Sequence, residues 1–266
     1  MNALFLGYGR MGSAIGQAWL KAGLVSQVSA VDPYLQDLPT ASPVMLYSQV
    51  EALPALAFDI IVVAVKPNYA CEVLAALPRA ACEHAVVISV AAGVPHEKLS
   101  QALDHSCPVV RAMPNTPVLV NAGCTGLFAP AGLDEALRSR VTRLFETVGS
   151  ASWVEHEGLL DAVTALSGSG PAYYHLFSEA LAAAGVALGL SPDLAKTLAA
   201  QTALGAATLQ TQPGADFATL RSAVTSPNGT TAAAISSFEH DDGLRRLVGA
   251  AVQAAHSRSQ ALSRES

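Results

Sequence analysis

Two short stretches of this chain combine residue types and spacing that could do chemistry. The first is Gly7-Tyr-Gly-Arg-Met-Gly12, which matches G-x-G-x-x-G. The second is Thr225-Ser-Pro-Asn-Gly-Thr-Thr231, a cluster of hydroxyls and one amide around a Pro-Asn-Gly turn. A glycine loop that opens a helix can bring backbone N–H groups up to a pyrophosphate. A turn that runs into a helix start offers unpaired N–H groups to a small anion, although the same pattern also serves as a plain connection between helices.

The elements around the first stretch suit the ligand-binding version. Ala3–Leu6 is a short apolar strand that feeds directly into Gly7, and Ser13–Ala22 is a helix stopped by Gly23. In such a unit Gly7 permits the tight turn, Gly9 the approach of a pyrophosphate, and Gly12 the packing of helix on strand. A second strand, Gln27–Val31, ends at Asp32, twenty residues after Gly12, where a carboxylate can accept ribose hydroxyls. Asp32 would repel a 2′-phosphate and favours NAD, whereas Arg10 inside the loop favours a phosphate or is simply solvated.

Further strands are expected at Val44–Tyr47, Phe58–Val65, His84–Ser89 and Pro108–Met113. The middle ones are continuous apolar runs of the kind buried on both faces of a parallel sheet. Ligands bind at the C-terminal ends of such strands. There lie Lys66 and Pro67, the small residues Val90-Ala-Ala-Gly93 with Ala92 beside the cofactor path, and Pro114-Asn-Thr-Pro117. Asn115 either contacts substrate or nicotinamide, or closes a turn. Val118–Ala129 reads as two short strands, Asp134–Val148 as an amphipathic helix, and Ser152–Val154 as a closing edge strand. The expected architecture is an α/β Rossmann domain over 1–154 and an all-α domain over 155–266. In the second, helices are expected at Glu157–Leu166, from Pro171 to Leu188 after a Ser167–Pro171 break, from Ser191, at Phe217–Val224, at Ala232–Phe238 and from Gly243.

Composition narrows the function classes. Of 266 residues 51% are hydrophobic and 14% charged, and the net charge is −6 with no basic cluster larger than Arg245-Arg246. That balance speaks against nucleic acid as a partner and for a large core with further apolar surface to cover. No apolar run has bilayer length, and the N-terminus lacks a basic leader region. The four cysteines form no C-x-x-C pair and the seven histidines no metal-ligand spacing. A reduced, metal-free, cytoplasmic protein is the expectation.

Taken together, Val65-Lys-Pro67, Arg111-Ala-Met-Pro-Asn-Thr-Pro117, Leu166-Ser-Gly-Ser-Gly-Pro-Ala-Tyr173 and Thr225–Thr231 resemble the Δ1-pyrroline-5-carboxylate reductase family, and the Gly7–Gly12 loop with Met11 fits as well. The resemblance covers nearly the whole chain. It implies a Rossmann domain, a helical domain that makes a homodimer (assembled further in many members), and hydride transfer from NADP(H) or NAD(H) to a cyclic imine, giving L-proline. It implies that Ser226, Gly229, Thr230 and Thr231 hold the substrate carboxylate and ring nitrogen. Asn228 departs from the family's second glycine, and Asn is the residue that best tolerates a left-handed backbone in its place. Asp32 departs from a family that generally prefers NADPH.

The chemistry of the residues fits that assignment. Backbone N–H groups at Gly229, Thr230 and Thr231 suit a carboxylate, and the Thr231 hydroxyl can orient a ring nitrogen. An imine takes its proton from solvent, so the absence of a strong acid pair is no obstacle. His175 and Glu179, four apart on one helix, are an acid relay or a local polar pair. A β-hydroxyacid dehydrogenase is the nearest alternative, but it wants a Lys in the first long helix of the second domain. Lys occurs only at 21, 66, 98 and 196. A non-catalytic nucleotide sensor is the other alternative, and it would have no need of the Thr225–Thr231 turn.

Overall fold

The computed structural model describes residues 1–34, 43–54 and 57–265. The chain divides into two compact units, Met1–Ser169 together with Ala255–Ser266, and Gly170–Ala254. The first unit carries, in chain order, β1 (Asn2–Leu6), α1 (Arg10–Lys21), β2 (Gln27–Val31), β3 (Val44–Tyr47), β4 (Ile60–Val63), α2 (Ala70–Ala75), α3 (Arg79–Cys82), β5 (Val86–Ser89), α4 (His96–Ala102), β6 (Val109–Met113), β7 (Gly123–Phe128), α5 (Glu135–Glu146), β8 (Gly149–Trp153) and α6 (Leu159–Val163). The strands form one sheet in the order β3-β2-β1-β4-β5-β6-β7-β8. β1 to β6 are parallel, β7 runs antiparallel to β6, and β8 closes the edge parallel to β7. Strand order reverses direction at β1, and the ligand crevice of such a sheet lies at the C-terminal ends there.

The pleat explains the apolar runs. Ala3, Phe5, Ile60 and Val62 point to one face, and Leu4, Leu6, Ile61 and Val63 to the other. On the first face α1 and α5 supply Ile15, Trp19, Val141, Leu144 and Phe145, and the Trp19 indole donates to the Leu144 carbonyl at 2.8 Å. On the second face α2 and α4 supply Ala70, Leu74 and Leu99. Both faces are dry, so the strands need no polar alternation. All four cysteines are free thiols.

Tyr8 makes a testable exception to this apolar packing. Its ring is 2% exposed and stands edge-on to Phe5 at 5.4 Å, yet its hydroxyl has no hydrogen-bond partner among the described residues. Burial pushes its phenol up to about 12. Tyr8→Phe should therefore stabilise the protein by about 1 kcal/mol, because an unsatisfied buried donor is removed. The phenol of the unfolded chain ionises near its ordinary value, while the folded one does not. The unfolded state thus releases its proton first, and wild-type stability should fall as pH rises from 10 towards 12. Urea titrations of wild type and Tyr8→Phe across that window should show the variant losing less.

Helices make up the second unit: α7 (Gly170–Ala187), α8 (Pro192–Gln210), α9 (Phe217–Ala223), α10 (Thr230–Glu239) and most of α11 (Gly243–Glu265). Ser191 caps α8 by accepting from the Leu194 N–H, and Asp216 caps α9 by accepting from the Thr219 N–H at 2.8 Å. Phe177 of α7 and Phe238 of α10 pack with ring centres 6.2 Å apart.

Two sequence expectations need correction. Val118–Ala129 is not two strands: Thr116–Val120 is a 3-10 helix with Pro117 in its first turn, stopped by Asn121 at φ 55, and only β7 follows. The expected break at Ser167–Pro171 takes another form: α6 gives way at Thr164 to a π-helical turn through Gly168, Ser169 bends, and α7 begins at Gly170. The segment 155–169 and the last residues of α11 pack with the sheet, although their composition resembles that of the helical half.

Candidate active site

In the first unit, the expected cofactor residues converge on the C-terminal ends of adjacent strands. The glycine loop follows β1, Asp32 follows β2, Lys66 and Pro67 lie beyond β4, Ala92 beyond β5 and Asn115 beyond β6. Gly7 has φ +89, and a Cβ there would stand 2.7 Å from the Ala64 carbonyl oxygen, so the turn needs glycine. Gly7 N–H donates to the Val31 carbonyl at 2.8 Å, which fastens the loop to β2. Gly9 is the N-cap of α1, and a Cβ there would meet nothing within 4 Å. Above it is the open cradle that a pyrophosphate needs. The N–H groups of Arg10, Met11 and Gly12 belong to the first turn of α1, where helix N–H groups have no intrahelical acceptor. The residues present therefore fit a dinucleotide.

Asp32 does more than end a strand. One carboxylate oxygen accepts from the Tyr8 N–H at 2.9 Å and the other from the Tyr34 N–H at 3.0 Å. The acid is thus held against the glycine loop by backbone donors, half-buried and fixed in orientation. Lys66 and Arg10 are both exposed, and Pro67 begins a 3-10 turn through Tyr69 that leads into α2.

Asn115 is 9% exposed and its amide is hydrogen-bonded at both ends. The side-chain oxygen accepts from the Cys124 N–H at 2.8 Å, and the side-chain nitrogen donates to the Ser167 carbonyl at 3.0 Å. Nearby, Arg111 of β6 pairs with Glu157 at 2.7 Å, and the same carboxylate oxygen accepts from the His96 N–H at 2.6 Å. These links of 46 to 61 residues in sequence left no local signal in the chain.

The second unit holds the expected substrate residues on one turn and one helix start. Ser226 to Gly229 close a turn in which the Gly229 N–H donates to the Ser226 carbonyl at 3.1 Å. Asn228 sits at φ 59, the left-handed backbone that its place in the turn demands. Gly229 is the N-cap, and a Cβ on it would lie 2.5 Å from the Ser226 hydroxyl, so glycine is what lets that hydroxyl lie over the turn. α10 starts at Thr230, two residues earlier than its apolar run suggests. The backbone N–H groups left without an acceptor are accordingly one residue further along than Gly229, Thr230 and Thr231. The Gly229 N–H is spent on the turn, whereas those of Thr230, Thr231 and Ala232 lie in the first turn of α10, ahead of the first helical bond from Ala233 to Gly229. Thr231 is half-buried, and its hydroxyl has no partner among the described residues. The Ala232 side chain carries no chemistry, and only the helix start reveals its N–H. His175 and Glu179 are both exposed on α7.

Comparison with known proteins decides the family. The chain is 40% identical to the pyrroline-5-carboxylate reductase of Pseudomonas aeruginosa over 98% of its own length and 96% of that protein's. The chain belongs to the pyrroline-5-carboxylate reductase family. Residues 157–262 match the family model described as pyrroline-5-carboxylate reductase dimerisation, and residues 3–93 match that of NADP oxidoreductase, coenzyme F420-dependent. Among solved structures, the pyrroline-5-carboxylate reductase of Coxiella burnetii superposes with a TM-score of 0.88 at 34% identity, covering 98% of both chains. The pyrroline carboxylate reductase of Plasmodium falciparum, solved with NADP bound, gives 0.84 at 31% identity over 99% of this chain and 98% of that one.

Proposed function

We propose that the chain reduces Δ1-pyrroline-5-carboxylate to L-proline with a reduced nicotinamide dinucleotide. The observation that carries this reading is the anion seat at the start of α10, where the free N–H groups of a helix terminus meet an unpartnered hydroxyl. The substrate pairs one carboxylate with one C=N bond, and the seat offers one group of donors for each. In this reading the Thr230, Thr231 and Ala232 N–H groups hold the carboxylate, Ser226 and Gly229 shape the turn, and the Thr231 hydroxyl orients the ring nitrogen. The dinucleotide, when bound, supplies the hydride. The glycine loop and the first turn of α1 hold its pyrophosphate, Met11, Lys66, Pro67 and Ala92 line its path, and Asp32 stands where its adenosine ribose is read. Catalysis is then mostly orientation, and no strong protein acid is needed.

NADP(H) is the cofactor in keeping with the NADP-bound relative, and Asp32 is the feature that opens the site to NADH. Asp32→Ser should raise the kcat/KM ratio of NADPH over NADH by on the order of tenfold, since a carboxylate near a 2′-phosphate is removed. An unchanged ratio would mean that Asp32 serves only as the backbone anchor of the loop.

We assign 1–154 to dinucleotide binding and 155–266 to substrate binding and dimerisation. A homodimer is supported by the exposed Leu176, Leu204, Phe217 and Leu247 of the helical unit, a density of bare apolar side chains that a second copy would cover. No helix among the described residues is long and apolar enough to cross a membrane. A cytoplasmic location is part of the same proposal.

The direct experiment mixes the protein with pyrroline-5-carboxylate and either NADH or NADPH and follows absorbance at 340 nm. Loss of absorbance with formation of proline is expected. No loss with either dinucleotide would end the enzyme reading in favour of a nucleotide sensor.

A further inference from the structure

The carbonyl of Ser167 has an unusual difficulty. In a continuous helix it would accept from the N–H four residues on, but that residue is Pro171, which has none. Ser167 lies in the π-helical turn Thr164–Gly168, and buried backbone carbonyls nearly always find a partner, in roughly 90% of cases or more.

The partner that Pro171 cannot supply comes from the loop after β6. The Asn115 amide nitrogen donates to the Ser167 carbonyl at 3.0 Å, while its oxygen accepts from the Cys124 N–H at 2.8 Å at the start of β7. A second contact accompanies it: a Cβ on Gly168 would stand 2.9 Å from the Met113 side chain, so the turn lies directly on the end of β6. Within the turn, the Ser169 N–H donates to the Thr164 carbonyl at 2.8 Å, the five-residue spacing of a π-helix. π-turns cost helix regularity and persist where something outside the helix holds them.

We propose that Asn115 is a positioning residue for the reaction, acting through the Ser167 carbonyl to hold the π turn in place of the hydrogen bond that Pro171 cannot give. It is distinct from a substrate contact, since both ends of the amide are engaged within the first unit. The inference rests on the proposed reaction only through its turnover readout.

Asn115→Asp tests it, because the carboxylate keeps the acceptor for Cys124 and loses the donor for Ser167. Turnover should fall on the order of ten- to a hundred-fold, with dinucleotide Kd, read by tryptophan fluorescence, close to wild type. Amide exchange at Ser169 should accelerate in protein without dinucleotide or substrate, a readout that stands whether or not pyrroline-5-carboxylate is the substrate. Adding Pro171→Ala returns an N–H to position 171 and should recover most of the lost turnover and slow the exchange again, while Pro171→Ala alone stays near wild type. Should Asn115→Asp not fold alone, regained folding in the double variant supports the proposal equally. Equal impairment with and without Pro171→Ala, or unchanged exchange in Asn115→Asp, would overturn it.

Discussion

Gly7→Ala should weaken dinucleotide binding roughly a hundred-fold. The substituted residue would have to hold φ +89, and its methyl would lie 2.7 Å from the Ala64 oxygen, 2.8 Å from the Ala64 carbon and 2.9 Å from the Val65 nitrogen. All three are backbone atoms just beyond β4, and β1 is paired to β4 through Leu6 and Val63, so neither side can retreat without breaking the sheet. The left-handed backbone alone costs an L-residue about 1–2 kcal/mol, and relief of the clash moves the loop away from the start of α1. A combined penalty of about 3 kcal/mol corresponds to roughly a hundred-fold rise in Kd. Gly9→Ala separates the causes. Its backbone is at φ −68 and its methyl would meet no protein atom within 4 Å, so the fold should be unaffected. If the open space above Gly9 is the pyrophosphate cradle, that variant keeps the wild-type Tm and still loses affinity. Calorimetric titration with NADPH, beside thermal unfolding of both variants, reads the difference. Wild-type affinity in Gly9→Ala would show that the loop does not seat the phosphates.

The parts of the fold that were legible in the chain are those whose cause is local. Strands β1, β4 and β5 are buried on both faces, and such strands announce themselves as apolar runs whatever their neighbours do. The glycine loop was legible because the turn after β1 admits few residue types. Asn228 was legible for the same reason, as one of the few non-glycine residues that tolerate φ 59. What failed depended on distant partners. Val118 and Val120 look like strand residues, but Pro117 in the first turn and Asn121 at φ 55 shape a 3-10 helix there. Gly168 and Gly170 look like a plain helix break, yet a π-helical turn runs up to Gly168, and its Ser167 carbonyl accepts from Asn115, 52 residues earlier. The proposed functional division at residue 154 follows composition, whereas the packing boundary of the first unit falls later, after Ser169. The segment between the two packs with the sheet through Glu157 on Arg111 and through Asp161, which accepts from Ser259 of α11 at 2.6 Å. Pro171 four residues after Ser167 was a signal that could have been used, since it marks a carbonyl in need of an outside donor.

Thr231→Ala should lower kcat by on the order of ten- to a thousand-fold, below the roughly hundred- to ten-thousand-fold contribution of an obligatory general acid or base. The size follows from what the substitution leaves intact. The N–H groups of Thr230, residue 231 and Ala232 are backbone and remain in the first turn of α10, so the carboxylate keeps its seat and KM for pyrroline-5-carboxylate should change little. The turn that presents them also persists, because its bond from Gly229 N–H to the Ser226 carbonyl and the left-handed Asn228 do not involve residue 231. Only the hydroxyl is lost, the group proposed above to orient the ring nitrogen. An interaction made chiefly in the transition state appears in kcat rather than in KM. The loss stays below that expected for an obligatory acid, because the imine takes its proton from solvent. Thr231→Ser restores a hydroxyl at the same position and should recover most of the rate, whereas Thr231→Val, which keeps the shape without the hydroxyl, should resemble the alanine variant. Steady-state kinetics of the three variants at saturating NADPH separate these outcomes. Full turnover in Thr231→Ala would remove the hydroxyl from the mechanism and leave the helix start as a carboxylate seat alone.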